Sequence, residues 1–569
     1  MLKKSVFLKI CSLVMALLIL TASFSGCKKA KTHTEWLTSE YDVWIDDPNF
    51  QDNTDSSSDD SGSSQGDTNN DFLNSGVGVT TVNKISLEYT DYYLFSKNPT
   101  IQWSKPSDGQ SVNITIKDDA GKVVIDKKGL TGTSYKCENS LIDGKSYTLF
   151  MTYNNSDGSV NVVNNVGESG RTLTCVASKN DDGKNYEFNG SISFDVVNNY
   201  LSRGLTYTDI GTDPTKAKHI DDAIRFISNI GAKYIQRAGG EWYPSNYVEN
   251  NAEYVKAKIA AAHEMDSDII FEAAIFECVT PAVNNISIPA WVFEAFGLPV
   301  ETRNFDVDKM YLSNGYGKDY WKESDHAHLP SICMTEFQMF VYYRAACFID
   351  IGYEALHLGQ VKLTGEYFAN GSKDSMNENW TKVINMIRAY AKKNARRHYV
   401  LINAHNNEFR SPDGKMLVDY IIAPIRPKPA KDEVDHPVSE NNPQRCILEA
   451  GYWGAPYLSG ISGTSPSGWY TEKYPYIVEF DNYSVGNADT SDKDSYVWGK
   501  DEINWYVAQP QWYRKEFMNY VLDKLSEFND NGHVAFVGYR GTDFYANNKN
   551  SLCSTGVGDE TWIKEIFGK

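Results

Sequence analysis

Along this chain the apolar positions change their spacing once the polar N-terminal stretch is passed, and each spacing predicts a different element. Between about residues 82 and 197 they come in short alternating runs at 100–103, 112–116, 123–125 and 147–151, with turn signals at Asp119-Ala120-Gly121 and Asp143-Gly144. Alternation over a few residues predicts half-buried strands, and short strands at this spacing predict a β-sandwich. From about residue 201 strand and helix patterns alternate. Strands are predicted at 233–236, 269–276, 355–361, 399–404, 417–423, 446–450, 476–480 and 534–537. Helical patterning stands out at 217–229, 252–264, 336–349, 380–396 and 512–528, and is indistinct around the fifth and sixth strands. Eight strands with intervening helices over about 340 residues predict a (β/α)8 TIM barrel with long loops. The rival is an open doubly wound sheet, but no G-x-G-x-x-G follows the first predicted strand.

The N-terminus carries an address. Lys3 and Lys4 precede an apolar stretch at 13–20 that is short for a membrane span and ends in small residues, as a cleaved leader does. Phe24-Ser25-Gly26-Cys27 resembles a bacterial lipobox, which implies cleavage before Cys27 and lipidation of its thiol. Phe24 departs from the aliphatic residue usual there, and the plainer alternative is a secretory leader with an incidental cysteine. Residues 51–76 are almost entirely Asp, Asn, Ser, Gly and other polar types, which cannot bury enough surface to order themselves. The stretch from Trp103 through Leu141-x-x-Gly144-x-x-Tyr147 resembles a fibronectin type III or related immunoglobulin-like domain. The expected organisation is a signal peptide at 1–26, a lipidated acidic tether at 27–80, an all-β sandwich at 81–198 and a barrel at 199–569. It implies a bacterial protein lipid-anchored on the extracytoplasmic face of the membrane.

Charge and cysteine narrow the chemistry. The formal net charge is −19, and without the three leader lysines 52 basic residues face 74 acidic ones. Such a surface repels phosphate backbones and favours neutral or cationic ligands over nucleic acid. Seven cysteines remain once Cys11 and Cys27 are set aside, widely spaced and with no C-x-x-C pair. No zinc site or disulfide framework is expected, although Cys137 and Cys175 share the small domain. His326-Ala327-His328 is the only close histidine pair, and reads as a polar loop before it reads as a metal site. Beyond the polar stretch at 51–76, no phosphate-binding loop, zincin helix or G-x-S-x-G elbow is present, so no nucleotide, metal or other cofactor is expected.

Active sites of a TIM barrel sit where the strands end, so the residues after each apolar run should converge. Here those residues are Glu241, Trp242, Glu277, Gln360, His405, Asn406, Glu449, Tyr452, Trp453, Asp481, Asn482, Tyr539 and Arg540. Glycoside hydrolysis needs two carboxyl groups flanking one bond, aromatic rings for the flat faces of sugars, and amides, imidazoles or guanidiniums for hydroxyls. The carboxyl pair expected from sequence is Asp481 with Glu277, and Glu241 is the main substitute. Trp242, Gln360, His405, Asn406, Glu449, Tyr452, Trp453, Asn482, Tyr539 and Arg540 are expected to line the substrate. Each carboxylate also has a structural explanation: Glu241 as a loop cap, Glu277 as an interior partner of Arg237, and Asp481-Asn482 as a turn.

The barrel resembles lipid-anchored (β/α)8 glycoside hydrolases in architecture. The largest retaining clan places an Asn-Glu acid/base after strand four and a Glu nucleophile at strand seven. The predicted fourth strand ends instead in Asn403-Ala404-His405, whereas the seventh supplies Glu479 and Asp481. That departure keeps open a second expectation, a non-catalytic surface protein that captures carbohydrate.

Overall fold

The computed structural model describes residues 85–87, 92–138, 140–177, 181–208, 210, 222–312, 317–321, 326–367, 373–405, 409–450, 461–481, 497–498, 500–540 and 544–568. The signal peptide, Cys27 and the tether lie outside the described residues, as do Asn406, Tyr452, Trp453 and Asn482. Among the described residues no helix is long and apolar enough to cross a membrane.

In the N-terminal unit, Ser111–Asp118 pairs antiparallel with Val123–Leu130 on one side and Ser146–Asn154 on the other. Arg171–Cys175 and then Tyr93–Leu94 continue the sheet. Thr100–Gln102 and Ser134–Lys136 form a separate antiparallel ladder. The period-two pattern turns Tyr147, Leu149, Met151 and Tyr153 inward, where they share one core with Ile101 and Trp103 from beyond the sheet. The short strands that the alternation predicts are thus present as antiparallel ladders. Cys137 and Cys175 are both buried in it as free thiols.

The larger unit is a closed barrel of eight parallel strands. Gly204–Tyr207 pairs with Tyr234–Gly239, which pairs with Ile270–Ala274, and Ala355–His357 and Leu401–Asn403 follow in order. Backbone bonds from Asp419 to Ile402 and from Ile422 to Ala404 join the fifth strand to the sixth, Ile421–Pro424. The seventh is Tyr476–Glu479. The eighth is broken at Ala535: Gly532–Val534 pairs with the seventh strand, and Phe536–Tyr539 pairs with the first and closes the ring. Helices Ala223–Ile230, Tyr247–Met265, Thr335–Ile351, Lys373–Asn394, Gln511–Phe528 and Glu560–Phe567 separate most of the strands. None is found among the described residues between the fifth and seventh strands, where small hairpins at 428–447 and 463–471 stand instead.

Two expectations change. The first barrel strand is Gly204–Tyr207; four buried residues without alternation give it no period-two signal. The predicted sixth strand at 446–450 is only Cys446–Ile447, one arm of a hairpin with Lys428–Pro429 outside the barrel. Five predicted strands therefore move up one place. Helix Phe194–Leu201 also belongs to the barrel. Its Val196, Val197, Tyr200 and Leu201 pack with Tyr234, Ile270, Ala355, Leu401 and Ile477 at the strands' N-terminal ends, plugging the floor. The barrel unit thus starts earlier than residue 199, since Tyr186 and Phe188 join the same plug.

Candidate active site

The opposite end of the barrel, where the strands finish, holds a buried polar cluster. Glu479 ends the seventh strand and is completely buried. Its Oε1 is paired with Arg237 Nη2, and its Oε2 accepts from Arg237 Nε and Arg540 Nη1, both at 3.2 Å. Burial alone would raise its pKa, but the two guanidiniums outweigh that and hold it at about 2. Arg237 comes from the second strand and holds a left-handed backbone, φ 58°, which side-chain-bearing residues adopt at a cost.

Asp481 lies two residues beyond Glu479. Its Oδ1 accepts from Arg540 Nη2 at 2.8 Å, and its backbone N–H donates to Glu502 Oε2 at 3.2 Å. Burial and the neighbouring Glu479 push Asp481 up, whereas Arg540, Arg237 and His405 pull harder and leave it below its ordinary value. Asp481 is therefore ionised, and its side chain keeps 17% of its exposure where Glu479 keeps none. His405 follows the fifth strand. Its Nδ1–H donates to the Ile422 carbonyl at 3.1 Å, so Nε2 presents a lone pair to Arg237 Nη2 at 3.4 Å. Burial depresses this imidazole and keeps it neutral.

Glu277 approaches from the loop after the third strand. It is 3% exposed, and its Oε2 accepts from the Gln360 N–H at 3.1 Å. Burial raises its pKa, the Gln360 bond and Arg237 oppose the rise, and the charge on Asp481 adds to it. Glu277 thus feels the charge of Asp481, and the two carboxyls shift in opposite directions. Gly359, at the end of the fourth strand, leaves room for the Glu277 carboxyl; a Cβ there would overlap Oε2. Beneath lies a second polar layer: Asn403 Nδ2 donates to Glu272 Oε2 at 2.7 Å and to Tyr420 Oη at 3.0 Å, and Asn403 Oδ1 accepts from His357 Nδ1 at 2.7 Å.

The described residues bring together Asp481, Glu277, His405, Arg540 and the backbone of Gln360. Trp242 joins at the rim. Its ring is 5.4 Å from Phe276, and Phe276 lies 5.3 Å from the Arg237 guanidinium. Three expected site residues are placed elsewhere. Glu241 accepts from Ser245 N at 2.9 Å and from Ser245 Oγ, anchoring the start of the helix at 247–265 as a loop cap does. Glu449 forms an exposed ion pair with Lys428 in the hairpin outside the barrel. Tyr539 is 3% exposed and stacks on Tyr545 at 4.5 Å, so it packs inside rather than facing ligand. Arg237, the partner in the structural alternative for Glu277, lowers the Glu277 pKa by its charge but hydrogen-bonds to Glu479. The sequence marks Glu272, inside a predicted strand, as structural, which its bonds to Arg237 N–H and Asn403 bear out, whereas His357 and Tyr420 sit within apolar runs and give no strand-end signal.

His405, Glu479 and Asp481 have ligand atoms within 4.8 Å of one another, a spacing a metal ion could use. Both Glu479 oxygens and Asp481 Oδ1 are engaged by Arg237 and Arg540, and two guanidiniums make the site hostile to a cation.

No protein-family model matches the chain, and no curated protein matches it. Solved structures with a similar course include the type III pullulan hydrolase from Thermococcus kodakarensis, with 9% identity and TM-score 0.24 over 59% of this chain and 64% of that one. Bacteroides uniformis beta-glucuronidase 2 aligns with 9% identity and TM-score 0.29 over 83% of this chain and 47% of that one. Ruminococcus gnavus beta-glucuronidase aligns with 8% identity and TM-score 0.28 over 85% and 68%. Likeness at these scores carries no argument about the chemistry of this chain. The barrel itself rests on the strand pairing above.

Proposed function

We propose that the barrel is a glycoside hydrolase using Glu277 and Asp481. The observation that carries this reading is the opposed environment of the two carboxyls. Glu277 is biased toward its protonated form and Asp481 toward its ionised form, as an acid and its partner must be. Glu277 would donate its proton to the glycosidic oxygen as the bond to the anomeric carbon breaks. Asp481 would attack that carbon or take a proton from the water that does. Glu479 supplies no exposed oxygen; it holds Arg237 and Arg540 in place, and Arg540 in turn orients Asp481. With the strands recounted, the fourth ends at His357 and leads into Gly359-Gln360, still without Asn-Glu, and the Glu277 carboxyl fills the space beside Gly359. The test is release of sugars from a panel of plant, fungal and bacterial polysaccharides by wild type, Asp481→Asn and Glu277→Gln. Silence from wild type across the panel sinks the proposal.

One observation favours the second reading, capture without turnover: both carboxylates at the end of the seventh strand are already engaged by guanidiniums. Retained glycan binding without sugar release would select it. The lipobox-like Phe24-Ser25-Gly26-Cys27 supports an extracytoplasmic lipid anchor, with an immunoglobulin-like sandwich as spacer. Loss of membrane association in Cys27→Ala tests that placement.

A further inference from the structure

We propose that the mouth of the barrel takes an uncharged glycan, with one sugar over Asp481 and His405 and the next against the Trp242 and Phe276 rings. The inference rests on the carbohydrate reading above and narrows its substrate class.

Among the described residues the charges at the mouth cancel in pairs. Arg540 gives one nitrogen to Glu479 at 3.2 Å and another to Asp481 at 2.8 Å, and Arg237 spends two nitrogens on Glu479. Two guanidiniums among the described residues face the two carboxylates of the seventh strand, and Glu277 is biased toward its uncharged form. Arg237 Nη1 is left without a protein acceptor among the described residues, and it is buried. Arg426, behind the cluster, is held by Glu502 at 2.7 Å. A uronic acid would thus bring its carboxylate beside Asp481 without a guanidinium among the described residues to receive it, and like charges in a poorly solvated site repel strongly. An amino sugar would gain little, because the carboxylates it could meet are already neutralised.

What the mouth does offer suits hydroxyls and flat apolar faces. His405 is neutral, and its ring is partly exposed beside Asp481. Trp242 and Phe276 are both half-buried, and Trp321 packs edge-on against Trp242 at 5.1 Å. Phe276 also carries the Arg237 guanidinium, so the aromatic patch runs without a break into the charged pair. The side on which Trp242 stands is the natural path for a second sugar.

The experiment is calorimetric titration of the full chain carrying Glu277→Gln, at low and high salt. The probes are neutral gluco-, xylo-, manno- and galacto-oligosaccharides, oligogalacturonate and chitosan oligosaccharides. The expected result is that a neutral oligosaccharide binds most tightly and with little salt dependence, and that adding Trp242→Ala weakens it about tenfold. Tighter, salt-sensitive binding of either charged probe overturns the inference, and so does the failure of every neutral one. Turnover is measured separately on wild type. Neutral binding without turnover removes the hydrolase and leaves this inference standing, whereas turnover of a uronate polymer does the reverse.

Discussion

Glu277 lies against Gly359, in space that any side chain at 359 would take. Gly359 has φ 60°, in the left-handed region, and a Cβ there would overlap Glu277 Oε2. The end of the fourth strand contributes no carboxyl of its own, yet its backbone shapes the seat of one delivered by the third strand's loop, and the Gln360 N–H pins it.

Gly359→Ala is therefore expected to displace Glu277 and cut activity at least tenfold, while the backbone strain costs about 1–2 kcal/mol of stability. Activity assays beside thermal melts check this. Unchanged activity in a folded Gly359→Ala protein would remove Glu277 from the mechanism.

The opposed shifts of the carboxyl pair set a pH profile. Activity should rise as Asp481 ionises, below the ordinary aspartate range, and fall as Glu277 loses its proton, above the ordinary glutamate range. Glu277→Gln should abolish the alkaline limb and lose about 10²–10⁴ in rate on substrates with poor leaving groups. A pH–rate profile of wild type and variant on such a substrate is the check.

Arg237 carries the burial of Glu479. Arg237→Ala leaves a completely buried carboxyl with one cation fewer, at an expected cost of about 3–5 kcal/mol at neutral pH. The sign with pH follows from Glu479, whose folded pKa is lowered from 4.5 to about 2. Its contribution is fully present above 4.5 and is lost as pH falls toward about 2, roughly 3 kcal/mol in all. The stability gap between wild type and Arg237→Ala should narrow over that window, as denaturant titrations at pH 7, 4 and 3 would show.

The helix that plugs the floor makes a prediction about boundaries. A fragment beginning at residue 202 lacks Val196, Val197, Tyr200 and Leu201 and opens the barrel floor, so it should aggregate. Within the whole protein, Tyr200→Ala should cost about 3–5 kcal/mol, which thermal melts would register.

Much of this arrangement is legible in the residues themselves. The N-terminal strands declare themselves because those such as Ser146–Asn154 bury every second residue. Barrel strands buried on both faces lose that alternation, which is why Gly204–Tyr207 passes unnoticed and the apolar run at Cys446 passes for a strand. The carboxylates Asp481 and Glu277 stand out because charge directly after an apolar run is conspicuous. The clamp of Arg237 on Glu479 spans 242 positions, and no local pattern encodes a pairing made by barrel closure.

The most direct test of the central claim compares sugar release by wild type, Asp481→Asn and Glu277→Gln on the polysaccharide panel, with folding followed by circular dichroism. The account predicts release by wild type and its loss, by about 10²–10⁴, in each folded variant. Release undiminished in both variants would contradict it, and would show that the chemistry at this barrel mouth does not pass through Asp481 and Glu277.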